Sequence, residues 1–355
     1  KKKSVKFDDL YKDNTSTYRI FSRAYCNFVF PKTIDRTMPD NNTNLDEDDL
    51  DALTDEQKQL YDDVQQQQSQ TNNYAERIKR AIELLDENKM NLLNKEQLQL
   101  YSPKMLNILE NINYENHYGL HLVYSQFRTL EGIGIFSLIL KANGFAEFKI
   151  KKDELNNWVV DINDEDRGKP CFALYTGSEQ PEEKEIIRNI YNSDWEKIPQ
   201  TILDYISQIS SNNLYGEIIK TLMITASGAE GINLKNTRYV HIMEPYWHPV
   251  RTEQVIGRAR RICSHKDLPE EYRTVDVFLY LMTFSEEQLL PTNKDSIELR
   301  LKDKGKLTDK PLTSDEALHE ISNIKENITR ELLMTIKQTS IDCKLHKANN
   351  NGEPI

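Results

Sequence analysis

The sequence has little cysteine, no long apolar run and no excess of positive charge. Its four cysteines, Cys26, Cys171, Cys263 and Cys343, are scattered without a CxxC pair. Cys263-x-His265 and Cys343-x-x-His346 lack the spacing of zinc ligands, so reduced thiols of an intracellular protein are the expectation. No stretch approaches the roughly 18 apolar residues of a membrane span. Lys1-Lys2-Lys3-Ser4 opens the chain without the apolar stretch of a signal peptide and without a Met, so a piece of a longer protein is expected. The net charge of −11 argues against a uniformly basic surface, but the average hides its distribution. Nine carboxylates lie between Asp46 and Asp63 against Lys58 alone, whereas Arg251, Arg258, Arg260 and Arg261 face only Glu253 within their own stretch. A local basic groove is therefore compatible with an acidic chain.

What is present is an alternation. Residues 17–32 mix aromatic, apolar and basic side chains and read as a packed segment. Residues 41–73 are polar and acidic, with a glutamine tract at 65–68, and read as a solvated insert. Asp46-Glu47-Asp48-Asp49 lacks the apolar strand that would make it a magnesium-holding acidic box. Residues 74–113 carry helical spacing at Ile78, Ala81, Ile82 and Leu85. After the break at Pro103 it resumes at Met105, Ile108, Leu109 and Ile112. From 119 onward short apolar runs take over: 119–125, 171–177, 218–225, 239–245 and 275–284 read as strands. Helical stretches lie between them, and 147–170 is a polar insert. Strands alternating with helices predict a mostly parallel sheet in an α/β fold, whose ligands bind beyond the carboxyl ends of the strands.

The residues after those strands carry the chemistry. Gln254-Val-Ile-Gly257-Arg258-Ala-Arg260-Arg261 fits Q-x-x-G-R-x-x-R. On a helix Gln254, Arg258 and Arg261 would share a face. Two guanidiniums on one side suit a triphosphate, since each forks onto phosphate oxygens and stays charged. Taken alone, the octet also fits a basic surface turn. One strand upstream, Thr225-Ala-Ser227-Gly228-Ala-Glu230-Gly231-Ile-Asn233 places small residues where backbone amides can approach a phosphate.

These segments resemble motifs V and VI of Swi/Snf-type superfamily 2 ATPases, in GAEGINL, YVHIMEPYWHP and RTEQVIGRARRICSH. LVYSQF (122–127) is similar to their motif IV and LYTGS (174–178) to the turn after the next strand. Tyr246-Trp247-His248-Pro249 resembles the family's Trp-Asn-Pro, with His248 in place of Asn. Gly257 departs from the acidic residue usual in chromatin remodellers and agrees better with the viral branch, helicase-like transcription proteins such as the poxvirus-type nucleoside triphosphatase I and the early transcription factor small subunit.

The resemblance implies a RecA-like three-layer lobe over 114–290. A connector from a preceding lobe would span 1–44, an acidic and helical insertion 45–113, and a helical extension 291–355. It implies ATP with magnesium as cofactor. The phosphate loop and magnesium carboxylates would lie on a first lobe, because no G-x-x-x-x-G-K-[ST] occurs here, and this piece alone would be inactive. Arg261 becomes the candidate arginine finger, Arg258 the γ-phosphate partner and Gln254 their orienter. Glu230, Gly231, Asn233 and Gly257 would line the nucleotide cleft. Ser125, Gln126, Arg128, Thr176, Gly177, Thr225 and Ser227 would follow a nucleic-acid backbone. Implied partners are double-stranded DNA, the amino-terminal lobe and viral RNA polymerase or transcription factor subunits, not a membrane. The implied place is host cytoplasm (the viral factory) or the virion. Trp247 reads as core or as a coupling residue. The capping box Thr313-x-x-Glu316 and the stripe Leu318, Ile321, Ile324, Ile328, Leu332 and Ile336 read as a docked or partner-binding helix. A non-catalytic nucleic-acid-binding or scaffold module and an RNA helicase remain the alternatives.

Overall fold

The computed structural model describes residues 20–35, 71–177, 179–226, 231–290 and 311–340. The acidic run, the glutamine tract, Ser227, Glu230 and Cys343 lie outside them. Two compact units divide the chain: one runs to Glu244 and includes Val255–Met282, and the other holds Pro245–Gln254 and the residues from Thr283 on.

The first unit begins with α1 (Ile20–Asn27) and continues through α2 (Thr71–Glu87), α3 (Lys89–Leu92), α4 (Lys95–Tyr101) and α5 (Pro103–Asn113). Pro103 sits in the first turn of α5, where its missing N–H costs nothing, and Ser102 caps that helix by accepting from the Met105 amide. β1 (Leu120–Tyr124) and α6 (Ile133–Ala142) follow, then the strands β2 (Ala146–Glu147), β3 (Ile150–Lys152), β4 (Trp158–Val160) and β5 (Cys171–Tyr175). α7 (Pro181–Tyr191), α8 (Gln200–Ile206), β6 (Thr221–Ile224), β7 (Thr237–Ile242), the Val255–Ala259 part of α9 (Pro249–Ala259) and β8 (Asp276–Leu279) complete its elements.

Six strands form one sheet in the order β2-β5-β6-β1-β7-β8, and every neighbouring pair is parallel. Parallel neighbours need crossovers, and the helices supply them. Alternate strand residues face opposite layers. Leu122, Ala173, Leu222 and Val240 pack with Ile187 and Ile190 of α7, Ile202 and Ile206 of α8, and Val255 and Ala259 of α9. Val123, Phe172, Met223 and Met243 face the other way, onto Leu98, Ile108, Leu109 and Phe136 from α4, α5 and α6. The expected α/β three-layer lobe is thus present. The helical part of 45–113 is one of its layers rather than an appendage, because its apolar stripe is buried in the same cluster as the sheet. Each such side chain contributes about 1.5–3 kcal/mol on burial. The polar stretch 147–170 holds a small antiparallel hairpin, β3 with β4, which its composition conceals.

One polar seam crosses the second face. His121 Nδ1 lies 3.0 Å from His241 Nε2, His241 Nδ1 lies 2.8 Å from the Tyr280 hydroxyl, and Asn111 donates to that hydroxyl at 2.9 Å. Burial, helped by the charge of His117, drives His241 down to about 3, and burial also lowers His121 well below the ordinary histidine range.

The second unit contains α10 (Glu286–Leu289) and the long α11 (Ser314–Thr339). The predicted capping box is formed: Glu316 N–H donates to Thr313 Oγ1 at 3.1 Å and Thr313 N–H to Glu316 Oε2 at 2.9 Å. Leu318 is buried and Ile321 half-buried, but Ile324, Ile328, Leu332 and Ile336 are exposed, so the docking expected of the stripe is confined to the first part of the helix. Lys325 places its ammonium 3.7 Å from the centroid of the Trp247 ring, and Arg251 lies 4.9 Å from that of Tyr246. Among the described residues no helix is long and apolar enough to cross a membrane.

Candidate functional site

Strand register sets which residues emerge together. Tyr175, Ile224, Tyr124, Ile242 and Leu279 are aligned across five parallel strands. The residues that follow them, Thr176, Thr225, Ser125 and Met243-Glu244 among them, therefore leave from one edge of the sheet. That is the edge where open α/β sheets bind ligands.

The loop after β1 is a tight turn closed on its own backbone. Ile133 N–H donates to the Phe127 carbonyl at 2.9 Å and Gly134 N–H to the Arg128 carbonyl at 2.6 Å. A Cβ at Gly132 would stand 1.9 Å from the Phe127 oxygen, and one at Gly134 would stand 2.1 Å from the Thr129 oxygen. Only glycine lets α6 begin so close to the loop. Arg128 is half-buried there. Ser125, at 0% exposure, and Gln126, at 8%, point inward. The Ser125 hydroxyl donates to Glu244 at 3.0 and 3.1 Å, and the Gln126 amide N–H donates to the same carboxylate. Burial pushes the Glu244 carboxyl up, opposed by the Gln126 amide, by Lys104 and Arg23, and by the Ser125 hydroxyl.

The turn after β5 is closed by Glu179, which accepts from the Thr176 amide at 2.6 Å and from its hydroxyl at 2.9 Å. Gly177 is exposed, and Thr225 after β6 is buried.

The arginine segment departs from the helical reading. α9 ends at Ala259, so Arg261 lies beyond it. Ser264 makes the stop: its hydroxyl is 3.1 Å from the Ala259 carbonyl and 2.9 Å from that of Arg261, and it pairs with His265 Nδ1 at 2.8 Å. His265 Nε2 is bound to the Thr237 carbonyl at 2.8 Å, which ties the turn to the start of β7. Freed from the helix, Arg261 turns towards the segment after β6. Its Nη2 donates to the Ile232 carbonyl at 3.3 Å, and the Arg258 carbonyl accepts from Leu234 N–H at 3.3 Å. Arg258 and Arg261 are thereby brought beside Gly231 and Asn233, both exposed. Gly231 has φ +71°, a left-handed conformation that favours glycine. Asn192 steadies the same segment, donating to the Asn233 carbonyl and accepting from Lys235 N–H, both at 2.9 Å.

The guanidinium groups have donors to spare. Arg258 Nε is buried and finds no hydrogen-bond partner among the described residues, and Arg261 is exposed. Such donors fit phosphate oxygens. Gln254 is exposed on α9, and a Cβ at Gly257 would meet nothing within 4 Å.

Sequence reading missed Glu244, Arg23, Asn27 and Lys104. The available signal was an acidic residue ending an otherwise apolar strand, in YVHIMEP.

Residues 205–263 match the family described as helicase conserved C-terminal domain, a span that includes β6, β7 and α9. A candidate ATP-dependent RNA helicase of Acanthamoeba polyphaga mimivirus is 30% identical over 249 residues, covering 70% of this chain and 24% of its own length. A homologue of the NPH-I termination factor in African swine fever virus is 30% identical over 259 residues, covering 71% of this chain and 33% of its own. The chain spans a quarter to a third of the length of these relatives. Among solved structures, the C-terminal part of the Fun30 ATPase domain aligns at 15% identity with a TM-score of 0.33, over 65% of this chain and 55% of that one.

Proposed function

From a chain that carries the conserved C-terminal domain of helicases and is related to viral helicases, we propose a second motor lobe of a DNA-dependent ATPase that acts as a translocase in viral transcription. The observation that carries the reading is the placement of Arg258 and Arg261 against Gly231–Leu234 with donors unspent. When bound between the lobes, ATP would favour their closure and supply the phosphoanhydride that is cleaved in the closed state. In this reading Arg261 presents a fixed positive charge to the γ-phosphoryl group as negative charge gathers there, and Arg258 holds the ground-state phosphates. The carbonyl of Ile232 holds the Arg261 guanidinium at the cleft, so little reorganisation is needed at the moment of reaction. Gln254 orients the pair, and Glu230, Gly231, Asn233 and Gly257 are the proposed nucleotide-cleft residues. The phosphate loop and the magnesium ligands belong to the preceding lobe.

Backbone contacts of Arg128, Gly177 and the segment around Thr225 and Ser227 carry the nucleic acid, without base readout. Ser125 and Gln126 serve that loop from beneath. The termination-factor homologue among the relatives favours a role in transcription on DNA, alongside viral RNA polymerase or transcription factor subunits. The mimivirus relative, described as an RNA helicase, supports the second reading, an RNA-directed motor.

The test is ATPase activity of the full-length parent protein with duplex DNA, single-stranded DNA or RNA, beside Arg261→Ala. Turnover stimulated by duplex DNA and lowered about 10³-fold or more by the substitution supports the motor. Stimulation by RNA alone moves the reading to an RNA helicase. Turnover indifferent to both nucleic acid and Arg261 leaves a scaffold module.

A further inference from the structure

α1 and the loop after β1 end in one buried polar cluster. Arg23 Nη2 donates to Gln126 Oε1 at 2.6 Å, and its guanidinium lies 5.3 Å from the Phe127 ring centroid. Asn27, one helical turn on, is bonded at every polar atom of its amide. Its Nδ2 donates to the Glu131 carbonyl at 2.9 Å and to Glu244 Oε2 at 3.2 Å, while its Oδ1 accepts from Lys104 Nζ at 2.8 Å. Its backbone carbonyl accepts from the Ser102 hydroxyl. Glu244 in turn holds Ser125 and the Gln126 amide. One carboxylate therefore joins the end of β7, the loop after β1 and α1, and through Asn27 it also reaches α5.

The polar side chains of this cluster are buried, and its ionisable groups are two bases, Arg23 and Lys104, and two carboxyls, Glu131 and Glu244. Burying charges is a poor way merely to attach a helix, since apolar residues of similar volume do that at less cost. The donors and acceptors matched at Asn27, Glu244 and Gln126, with Arg23 Nε alone left over, do something apolar packing does not: they favour one register between the parts. The orientation of the Asn27 amide is set by Lys104 on one side and by Glu131 and Glu244 on the other. α1 cannot shift along the loop without leaving a buried donor or acceptor unmatched.

We propose that Glu244 is a positioning residue that locks α1 to the loop Ser125–Gly132, so that movement of α1 is passed to the loop that meets nucleic acid. The inference rests on the motor reading above and says how nucleic-acid contact and turnover are coupled within it. Arg23 forms the second arm of the lock through Gln126.

Full-length protein with Glu244→Gln, Arg23→Met or Arg23→Lys provides the test, with duplex DNA as the probe. Glu244→Gln keeps the shape but sets an amide N–H against the Asn27 N–H. Expected is an unchanged basal ATPase, an unchanged KM for ATP, and DNA-stimulated kcat lowered about tenfold, the scale on which mutations along a coupling network act. Arg23→Met should behave alike, and Arg23→Lys, which still reaches Gln126, should recover part of the stimulation. Hydrogen exchange should quicken at amides of the loop after β1 and stay unchanged in β5 and β6. If Glu244→Gln fails to fold, the Arg23 pair carries the test. Full stimulation in the variants, or equal loss of basal and stimulated turnover, would overturn the inference while leaving the motor intact. A parent protein that DNA does not stimulate would sink both, and the hydrogen-exchange result would then describe a structural clasp only.

Discussion

The loop after β1 and the arginine turn after α9 both come from motif-like sequence, yet they are held in opposite ways. Ser125 and Gln126 are buried, and Glu244 and Arg23 satisfy them from within the unit. The Arg261 side chain is exposed and makes one long bond, to the Ile232 carbonyl, and Arg258 keeps a buried Nε without a partner among the described residues. In the first, the Ser125 hydroxyl and the Gln126 amide and side chain are all bonded within the unit, although Arg23 Nε, like Arg258 Nε, has no partner among the described residues. The second has cationic donors that an added anion can take up. A polar residue in a motif can thus act by building the platform or by meeting the ligand, and burial tells the two apart.

The widest separation comes from Arg261→Ala, which should lower DNA-stimulated kcat of the full-length protein by about 10³ while leaving its melting temperature unchanged. Glu244→Ala should do the reverse to stability. It strands Ser125, Gln126 and Asn27 and should cost about 3–5 kcal/mol in urea unfolding. Equal behaviour of the two variants in the melt would break the contrast.

Acid tests the platform elsewhere. His241 stays neutral when folded, with its pKa at about 3, and takes a proton near 6.5 once unfolded. Between those values the unfolded chain binds the extra proton, so stability falls as the pH drops. From pH 7 to pH 5 the loss should be about 2 kcal/mol for His241, with His121 adding in the same direction. His241→Gln should flatten that limb of a stability–pH curve. The smallest effect belongs to the exposed side of the comparison. Lys325→Ala removes a cation from the Trp247 face and should cost only about 0.5–1 kcal/mol, with a change in tryptophan fluorescence as its local readout.

The sheet was legible because its strands are apolar runs ended by Gly177, Thr225 or Pro245, and these boundaries are local. β2, two residues long, is too short to show a period, and β3–β4 is hidden in a polar composition. Arg261 was read as helical because Q-x-x-G-R-x-x-R has helical spacing. The stop comes from Ser264, three residues later, and spacing does not encode it. Glu244 was missed for a deeper reason. Its partners Ser125 and Asn27 stand 119 and 217 residues away, so the one local signal, an acidic residue after an apolar run, does not reveal what it holds. The stripe of α11 was legible as amphipathic, but not the fact that its burial stops after Leu318 and Ile321.

The sheet order has a consequence for synthesis on the ribosome. β1 is buried along its whole length, yet its neighbours are β6, at Thr221–Ile224, and β7, at Thr237–Ile242. At roughly 5–20 residues per second, the nascent chain carries an unpaired, apolar Leu120–Tyr124 for about 5–20 s before β6 is made. α4 and α5 are made before it and are available to shield one side. The other side waits for α7 and α8, and during that interval both strand edges are open to any other unpaired strand. Misassembly of the nascent lobe, rather than weakness of the finished one, is where this topology is most vulnerable.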